Sequence, residues 1–104
     1  MRDFTFYVYI LTNPKRTTLY IGQTNDLTRR LQQHLDNREN RSSFTGRYYC
    51  HKLVYYEVFQ YVNDAIARER QLKKWSRKKK EDLINRVNPQ WKFLNGEFHI
   101  PSDE

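Results

Sequence analysis

The chain has 104 residues, of which 19 are lysine or arginine and 12 are acidic, so its formal net charge is +7. A chain of this length predicts a single domain, residues 1–104, whose core is too small to enclose a large cavity. The charge favours an anionic partner, nucleic acid ahead of an acidic membrane surface. Charge that only aids solubility remains an alternative.

Cysteine usage and the apolar stretches indicate the compartment. Cys50 is the single cysteine, which excludes a disulfide within the chain and fits a reducing environment. The apolar run near the N-terminus is too short for a signal peptide or a membrane span. We therefore expect a cytoplasmic protein with no membrane partner.

The chain begins with a predicted β-hairpin. Residues 4–11 (FTFYVYIL) are apolar and aromatic throughout, which predicts a strand buried on both faces. Asn13 and Pro14 indicate a turn, and residues 18–23 then form the second strand of an antiparallel pair.

Two tyrosines and a glycine of this hairpin form a candidate site. Tyr20 and Gly22 share one face of the second strand, and the missing side chain of Gly22 leaves room for a ligand beside Tyr20. If Tyr9 of the first strand pairs with Tyr20, the two phenols form a wall beside the next helix. Cross-strand aromatic packing is the alternative explanation.

The next segment predicts an amphipathic helix, capped by one of residues 24–26. Relative to Leu27, a rotation of 100° per residue places Arg30 at about 300° and His34 at about 340°. Both therefore lie at the border of the apolar stripe, whereas Arg29, at about 200° by the same rotation, faces solvent or a DNA backbone. A border arginine and histidine are often structural, but they also suit phosphate binding and proton transfer.

The middle of the chain contains a loop, a strand and a second long helix. Residues 37–47 are polar and predict a basic loop, and residues 52–59 (KLVYYEVF) predict the third strand. Asn63 or Asp64 is expected to cap a helix that ends near Trp75.

The last third of the chain predicts further helix. Ser76 caps a helix that Asn88 and Pro89 end, and residues 89–94 form a final short helix with Asn88 as its cap. Residues 95–104 are expected to be a loosely held tail. The predicted fold is α+β, a three-stranded antiparallel sheet flanked by helices in the order β-β-α-β-α-α.

Glu69 breaks the apolar pattern of the second long helix. With Ala65 at zero, Glu69 falls at about 40°, inside the apolar arc. A carboxylate that faces a core is costly unless cations or hydrogen-bond donors meet it. Glu69 is therefore a candidate ligand for a divalent metal. A salt bridge to an arginine, or a side chain that bends out to solvent, is the structural alternative.

Basic residues concentrate in the loop and around residues 73–80 (KKWSRKKK). Such clusters suit a phosphate backbone and carry no sequence specificity, although a solvated helix face would look the same. The predicted nucleic-acid-binding residues are Arg29, Arg38, Arg41, Arg47, Lys52, Lys73, Arg77, Lys78 and Lys79.

Taken together, these residues resemble the GIY-YIG nuclease superfamily over about residues 5–94. The two tripeptides of that family appear as Tyr7-Val8-Tyr9 and Tyr20-Ile21-Gly22, so the first departs from the family pattern but keeps its tyrosine. The matching site residues are Tyr9, Tyr20, Arg30, His34, Glu69 and Asn88, with Asn85 as an alternative to Asn88 and Tyr48 as a possible addition. The chain looks most like small stand-alone members, and more distantly like the N-terminal incision domain of the bacterial excision-repair nuclease.

The resemblance implies metal-assisted hydrolysis of a phosphodiester. Glu69 would hold one Mg²⁺ or Mn²⁺, and one of Tyr9 and Tyr20 would help to take the proton from the attacking water. Arg30 would stabilise the charge that grows on the phosphate. His34 would orient the water or phenol, and Asn88 would brace the site or simply cap a helix.

The sequence therefore predicts a metal-dependent endonuclease that acts on DNA rather than RNA, with repair or recombination as its setting. DNA structure, the basic residues or a protein partner would then direct it to its substrate. A non-catalytic nucleic-acid-binding module on the same scaffold is the first alternative. A structural or partner-binding protein with incidental charge is the second.

Overall fold

Three antiparallel strands form the sheet of the structure, a computed structural model that describes residues 5–101. The predicted α+β fold and the order β-β-α-β-α-α are confirmed, with a short α-helix and a 3₁₀ helix in addition. The elements are β1 (Phe6–Thr12), β2 (Leu19–Thr24), α1 (Leu27–Asp36), α2 (Phe44–Arg47), β3 (Lys52–Phe59), α3 (Val62–Lys73), α4 (Arg77–Val87) and the 3₁₀ helix Asn95–Phe98. Residue 4, which was predicted to begin the first strand, lies outside the described range.

Over residues 5–101, no helix has the length and apolar character needed to cross a membrane.

β1 is the central strand, with β2 and β3 on either side. Successive side chains of a strand point to opposite faces, and here the two faces belong to separate apolar clusters. Val8 and Ile10 pack with residues of α3 and α4, whereas Tyr9 and Leu11 pack with residues of α1. β1 is therefore buried on both faces, as predicted, because helices cover the sheet from both sides.

Side-chain caps begin two of the long helices but not the third. Asp26 caps α1 and Ser76 caps α4, each by accepting a hydrogen bond from a backbone N–H three residues later. The N-cap of α3 is Tyr61, without a side-chain cap bond, so the prediction that Asn63 or Asp64 caps this helix is wrong. Asp64 instead lies in the first turn, where its negative charge suits the positive end of the helix dipole.

The predicted loop over residues 37–47 contains α2, which packs directly on the turn before it. The Ser43 hydroxyl caps α2 by accepting a hydrogen bond from the Gly46 N–H at 3.0 Å. A Cβ on Gly46 would clash with the carbonyl oxygens of Asn40 and Asn37. The small size of Gly46 therefore lets the backbone of α2 approach that of the preceding turn.

The chain forms no helix over residues 89–94, although one was predicted there. Asn88 is the C-cap of α4 instead of the N-cap of a further helix. Trp91 has φ of 52°, a left-handed conformation that a right-handed helix does not contain.

Asn95 begins a segment that packs against the edge of β3, which corrects the prediction of a loosely held tail. Asn95 is 2% exposed and Ile100 is 5% exposed. Asn95 Nδ2 donates to the His51 carbonyl at 3.0 Å, and Asn95 Oδ1 accepts from the Leu53 N–H at 2.8 Å. The side chain thus satisfies backbone groups that an edge strand would otherwise leave open. Residues 102–104 of the predicted tail lie outside the described range.

Candidate active site

The candidate site centres on Tyr9, which lies opposite Gly22 of the edge strand β2. A Cβ on Gly22 would lie 2.6 Å from Tyr9 Oη, so the glycine makes room for this phenol and not for a ligand. Tyr20 lies opposite Leu11. The two tyrosines are therefore diagonal neighbours instead of a direct pair, with their ring centroids 6.4 Å apart.

The hydroxyl of Tyr9 connects the two polar residues at the border of α1. Arg30 Nε donates a hydrogen bond to Tyr9 Oη at 3.3 Å, and His34 Nε2 lies 3.0 Å from the same oxygen. His34 is 7% exposed and Tyr9 is fully buried. The arginine and histidine that were predicted to turn toward the sheet therefore meet at one phenol.

Burial controls the protonation states in this cluster. It lowers the pKa of His34 to about 4, with smaller contributions from the charges of Arg30 and His51, so His34 is neutral at pH 7. Burial likewise raises the pKa of Tyr9 to about 12, against the effect of the hydrogen bond from Arg30. Tyr9 Oη accepts from Arg30, so we assign its own proton to a hydrogen bond with the unprotonated Nε2 of His34.

Tyr20 forms the outer side of the cluster. Its ring is half-buried and contacts the ring of His34, with 5.7 Å between centroids. On the other side it contacts Phe44 of α2, with 5.9 Å between centroids. The phenol of Tyr20 also contributes to the raised pKa of Arg30, after the larger effect of the hydrogen bond between Arg30 and Tyr9. Arg30 thus interacts with both phenols.

Glu69 lies on α3, the helix that contacts β1 and β2 and packs on the face of the sheet opposite to α1. Its side chain is 19% exposed and forms an ion pair with Lys73 at 3.3 Å. The charge of Glu69 contributes to the raised pKa of Tyr9, after burial and the charge of Tyr20. The carboxylate is therefore close enough to the phenol to interact with it electrostatically.

Glu69 offers a cation one carboxylate, which is paired with the ammonium group of Lys73 at 3.3 Å. Among residues 5–101, no group of three or more His, Cys, Asp or Glu side chains could hold a metal ion. A lone carboxylate is enough for Mg²⁺, which keeps several waters and takes further oxygens from substrate phosphates, but not for Zn²⁺ or Ca²⁺ sites built from several protein ligands. Gln23 lines a hollow with Arg30, and its buried Oε1 has no hydrogen-bond partner in the described part of the chain. A bound water would satisfy that oxygen.

Asn88, which was predicted to brace the site, binds the backbone. Its Nδ2 donates to the carbonyls of Val54 and Lys92, both at 2.9 Å, and its Oδ1 accepts from the Lys92 N–H at 3.0 Å. These bonds join the end of α4 to β3 and show a structural function. The alternative, Asn85, accepts a hydrogen bond from Trp91 Nε1 at 2.6 Å. A catalytic part for either asparagine stays a prediction.

Replacing Asn88 by alanine separates its structural function from a catalytic one. We expect the variant to lose about 2–3 kcal/mol of unfolding free energy, because the buried Val54 carbonyl and Lys92 N–H lose their partner. If the backbone bonds are the whole function of Asn88, the cleavage rate per folded molecule stays near the wild-type value; if Asn88 also braces the site, that rate falls. Urea unfolding and single-turnover rates measure the two effects, and Asn95→Ala, which uncaps β3 at another point, is the matched control. A hundredfold slower rate for Asn88→Ala, with Asn95→Ala unaffected, would make Asn88 part of the catalytic machinery.

The basic residues predicted to bind nucleic acid lie on several elements. Arg38, Arg41 and Arg47 line an open hollow beside Tyr48 and Tyr49, next to the Tyr20 side of the cluster. Arg29 and Arg30 share the lining of another hollow at the start of α1. These positions fit a surface for phosphates around the candidate site.

The basic stretch over residues 73–80 is largely paired with acidic side chains or the backbone. Lys73 pairs with Glu69, Arg77 with Glu81 at 2.7 Å, and Lys78 with Asp82 at 3.5 Å. Arg77 also donates to the Thr17 carbonyl at 2.8 Å, and Lys79 lies over the ring of Trp75. Their nucleic-acid contacts stay predictions.

The surface contact predicted for Lys52 is wrong. Lys52 is 2% exposed, and its Nζ lies 5.2 Å from the ring centroid of Phe93. The ammonium group interacts with an aromatic face inside the protein, so it does not present its charge to a phosphate backbone.

The sequence analysis did not single out two residues that the structure places near the site, Gln23 and Phe44, and it named Tyr48 only as a possible addition. Gln23 lines a hollow with Arg30. Phe44 contacts the ring of Tyr20, and Tyr48 contacts the ring of Phe44. The sequence does contain a signal for Phe44 and Tyr48, two aromatic residues spaced four apart in a basic segment. That spacing puts two rings on one side of a helical turn.

A sequence model of the GIY-YIG catalytic domain matches residues 5–82, three quarters of the chain. The chain belongs to the GIY-YIG catalytic domain family. The family is one of nucleases, which implies a nucleic-acid substrate, and its members generally use a divalent metal. The resemblance drawn from the two tripeptides and the spaced polar residues is therefore confirmed.

Relatives of this GIY-YIG domain are small proteins that it spans almost completely. It is 39% identical over 79 residues to a UPF0213 protein of Clostridium perfringens, covering 76% of this chain and 82% of that protein. It is 34% identical over 83 residues to a UPF0213 protein of Haloquadratum walsbyi, covering 80% and 89%. The solution NMR structure of a UPF0213 protein from Bacillus halodurans matches with a TM-score of 0.53 and 31% identity, covering 84% of this chain and 89% of that one.

Proposed function

We propose that this GIY-YIG domain is a divalent-metal-dependent endonuclease that hydrolyses phosphodiester bonds in DNA, with repair or recombination as its setting. The observation that carries the proposal is the convergence of Arg30 and His34 on the buried hydroxyl of Tyr9, with Glu69 in electrostatic reach. A cation and a proton acceptor at one phenol, with a carboxylate whose charge acts on that phenol, are groups that phosphodiester hydrolysis uses. The choice of DNA over RNA rests on the family resemblance.

The hydrogen bonds give the attacking water a route for its proton. A free Tyr9 phenolate is a poor intermediate at neutral pH, because the pKa of Tyr9 is raised to about 12. Tyr9 is fully buried in the free protein, so this route needs bound DNA to admit the attacking water to Tyr9 Oη. The water proton would then pass to Oη as the Tyr9 proton passes to His34 Nε2, which avoids that phenolate. The negative charge of a bound phosphate favours the protonated imidazole, and it therefore raises the proton affinity of His34.

Arg30 is the residue best placed to bind the phosphate that is cleaved. It uses Nε for Tyr9 Oη and Nη1 for Gln33 Oε1, the latter at 3.2 Å. A guanidinium group has five N–H donors in a planar fork, so donors remain for non-bridging oxygens. Arg30 would thereby stabilise the charge that develops in the transition state.

Glu69 would hold the divalent cation. When bound, Mg²⁺ or Mn²⁺ supplies Lewis-acid stabilisation to the phosphate oxygens and to the leaving oxygen. With one protein carboxylate as its ligand, we expect the cation to bind weakly until the phosphates of DNA complete its coordination.

An incision assay tests the proposed function. Labelled single-stranded, nicked and branched DNA are incubated with the purified protein in Mg²⁺, in Mn²⁺ and in EDTA. We expect cleavage with either metal, none in EDTA, and recovery when excess Mg²⁺ is restored, because Glu69 without a cation adds only negative charge near the phosphate.

Two other outcomes would contradict the proposal. Cleavage that persists in EDTA would exclude the metal-dependent mechanism. Salt-dependent DNA binding without cleavage of any of the substrates would instead establish the non-catalytic nucleic-acid-binding module.

A further inference from the structure

A row of aromatic rings runs from the candidate active site to the protein surface. It begins at His34 and Tyr20 and continues to Phe44, then to Tyr48, whose centroid lies 4.8 Å from that of Phe44. Phe44 is 49% exposed and Tyr48 is 44% exposed. Exposing large apolar rings to water costs free energy. These two rings adjoin each other, and Phe44 also adjoins Tyr20 of the catalytic cluster.

The α2 backbone holds the two outer rings in place. Ser43 caps the helix, Gly46 packs on the preceding turn, and the Cys50 N–H donates to the Thr45 carbonyl at 2.8 Å. Rings on such a support lose little conformational freedom when a ligand binds, which favours affinity.

The surface around these rings is mainly cationic. Arg38, Arg41 and Arg47 line the adjoining hollow, with Glu39 as its acidic residue, and Arg47 also lines a second hollow with Phe44 and Tyr48. A ligand that fits must offer flat apolar faces and negative charge together. A nucleotide with its base unpaired has both, since the base stacks on a ring and the phosphate pairs with an arginine.

We propose that Phe44 and Tyr48 form a stacking platform for an unpaired base of the DNA strand, close to the bond that is cleaved. The proposal rests on the proposed function, because the Tyr20 ring joins the platform to the catalytic cluster. In a duplex, the faces of the bases are covered by neighbouring base pairs, so a platform of this kind has little to bind. The preferred substrate therefore contains a single-stranded segment, a flap or a gap at the incision site.

Binding measurements without cleavage test the platform. Fluorescence anisotropy in EDTA compares a labelled oligothymidylate with a duplex of equal length, and every variant is made in the Glu69→Gln background. We expect Phe44→Leu/Tyr48→Leu to weaken single-strand binding about tenfold, because stacking contributes about 1–3 kcal/mol per base. Duplex binding should change less than about twofold by the same argument.

Three controls make the result specific. Tyr61→Leu removes an aromatic ring that is 65% exposed and lies at the N-cap of α3 instead of on α2, so it should leave the preference for single strand over duplex unchanged. Tyr48→Phe keeps the ring and should keep single-strand affinity. Thermal unfolding of each variant verifies that α2 and the rest of the fold persist.

The results separate this inference from the proposed function. An equal loss of affinity for single strand and duplex, or no loss for either, would overturn the platform. Because these measurements need neither metal nor an intact Glu69, failure to detect cleavage would overturn the proposed endonuclease while leaving a positive stacking result in place.

Discussion

Replacement of Glu69 by glutamine is expected to reduce metal-dependent cleavage by about a thousandfold, which corresponds to several kcal/mol of lost transition-state stabilisation. Glutamine has nearly the same size and shape but lacks the negative charge that binds the cation. The ion pair with Lys73 contributes little to folding, because such helical pairs at a surface are worth about 0.3–0.5 kcal/mol. Single-turnover rates across a range of Mg²⁺ concentrations measure the effect.

Glu81→Gln is the matched control for that experiment. Glu81, like Glu69, forms an ion pair with a basic residue four positions away in the same helix, but it lies on α4 and has no contact with the cluster at Tyr9 among the described residues. Both variants therefore lose a comparable helical pair, and only Glu69→Gln should lose activity. Equal residual nicking by wild type and Glu69→Gln would remove Glu69 from the mechanism.

The second large effect is expected from Gly22→Ala, a change of one methyl group. The new Cβ would lie 2.6 Å from Tyr9 Oη, 2.7 Å from Tyr9 Cζ and 3.1 Å from Tyr20 Cε2. Tyr9 is fully buried, so its ring can move only by shifting its neighbours. We expect a loss of about 1–3 kcal/mol of unfolding free energy from overpacking. We also expect cleavage about a hundredfold slower, because the phenol is displaced from Arg30 and His34.

Gly96→Ala provides the control for this steric argument. A Cβ on Gly96 has nothing within 4 Å, so the change should alter stability by less than about 0.5 kcal/mol and leave the rate unchanged. Urea unfolding and single-turnover cleavage are measured on both variants. Full activity of Gly22→Ala at wild-type stability would mean that Tyr9 does not need its position beside Arg30 and His34.

The sequence predicted the polar residues of the site better than it predicted how the two tyrosines meet. Arg30, His34 and Glu69 were predicted because a helix has a fixed rotation per residue, so a polar residue on the apolar side of a helix can be recognised from its spacing in the sequence. The pairing of Tyr9 with Gly22 depends on the register between β1 and β2. A loop of uncertain length sets that register, and a shift of one residue would reverse the faces.

The sequence also could not predict the contacts of Asn88 and Lys52, because each contacts a residue from a distant segment of the chain. Nothing in the sequence says that the amide of Asn88 reaches the Val54 carbonyl or that Lys52 lies over Phe93. Both contacts join segments that are more than thirty residues apart along the chain. The packing of Asn95 against β3 is likewise a long-range contact, which is why the C-terminal segment was mistaken for a loose tail.

By itself, then, the sequence determined the α+β fold, the order of its elements, the membership of the GIY-YIG family and the three helical side chains that turn toward the sheet. These features follow from local periodicity, caps and spacing, which act over a few residues. Only the tertiary structure decided that the phenol of Tyr9 fills the space above Gly22, that burial leaves His34 neutral beside it, and that Phe44 and Tyr48 extend the site to the surface. Those features depend on strand register and on burial, which arise only when distant segments pack together.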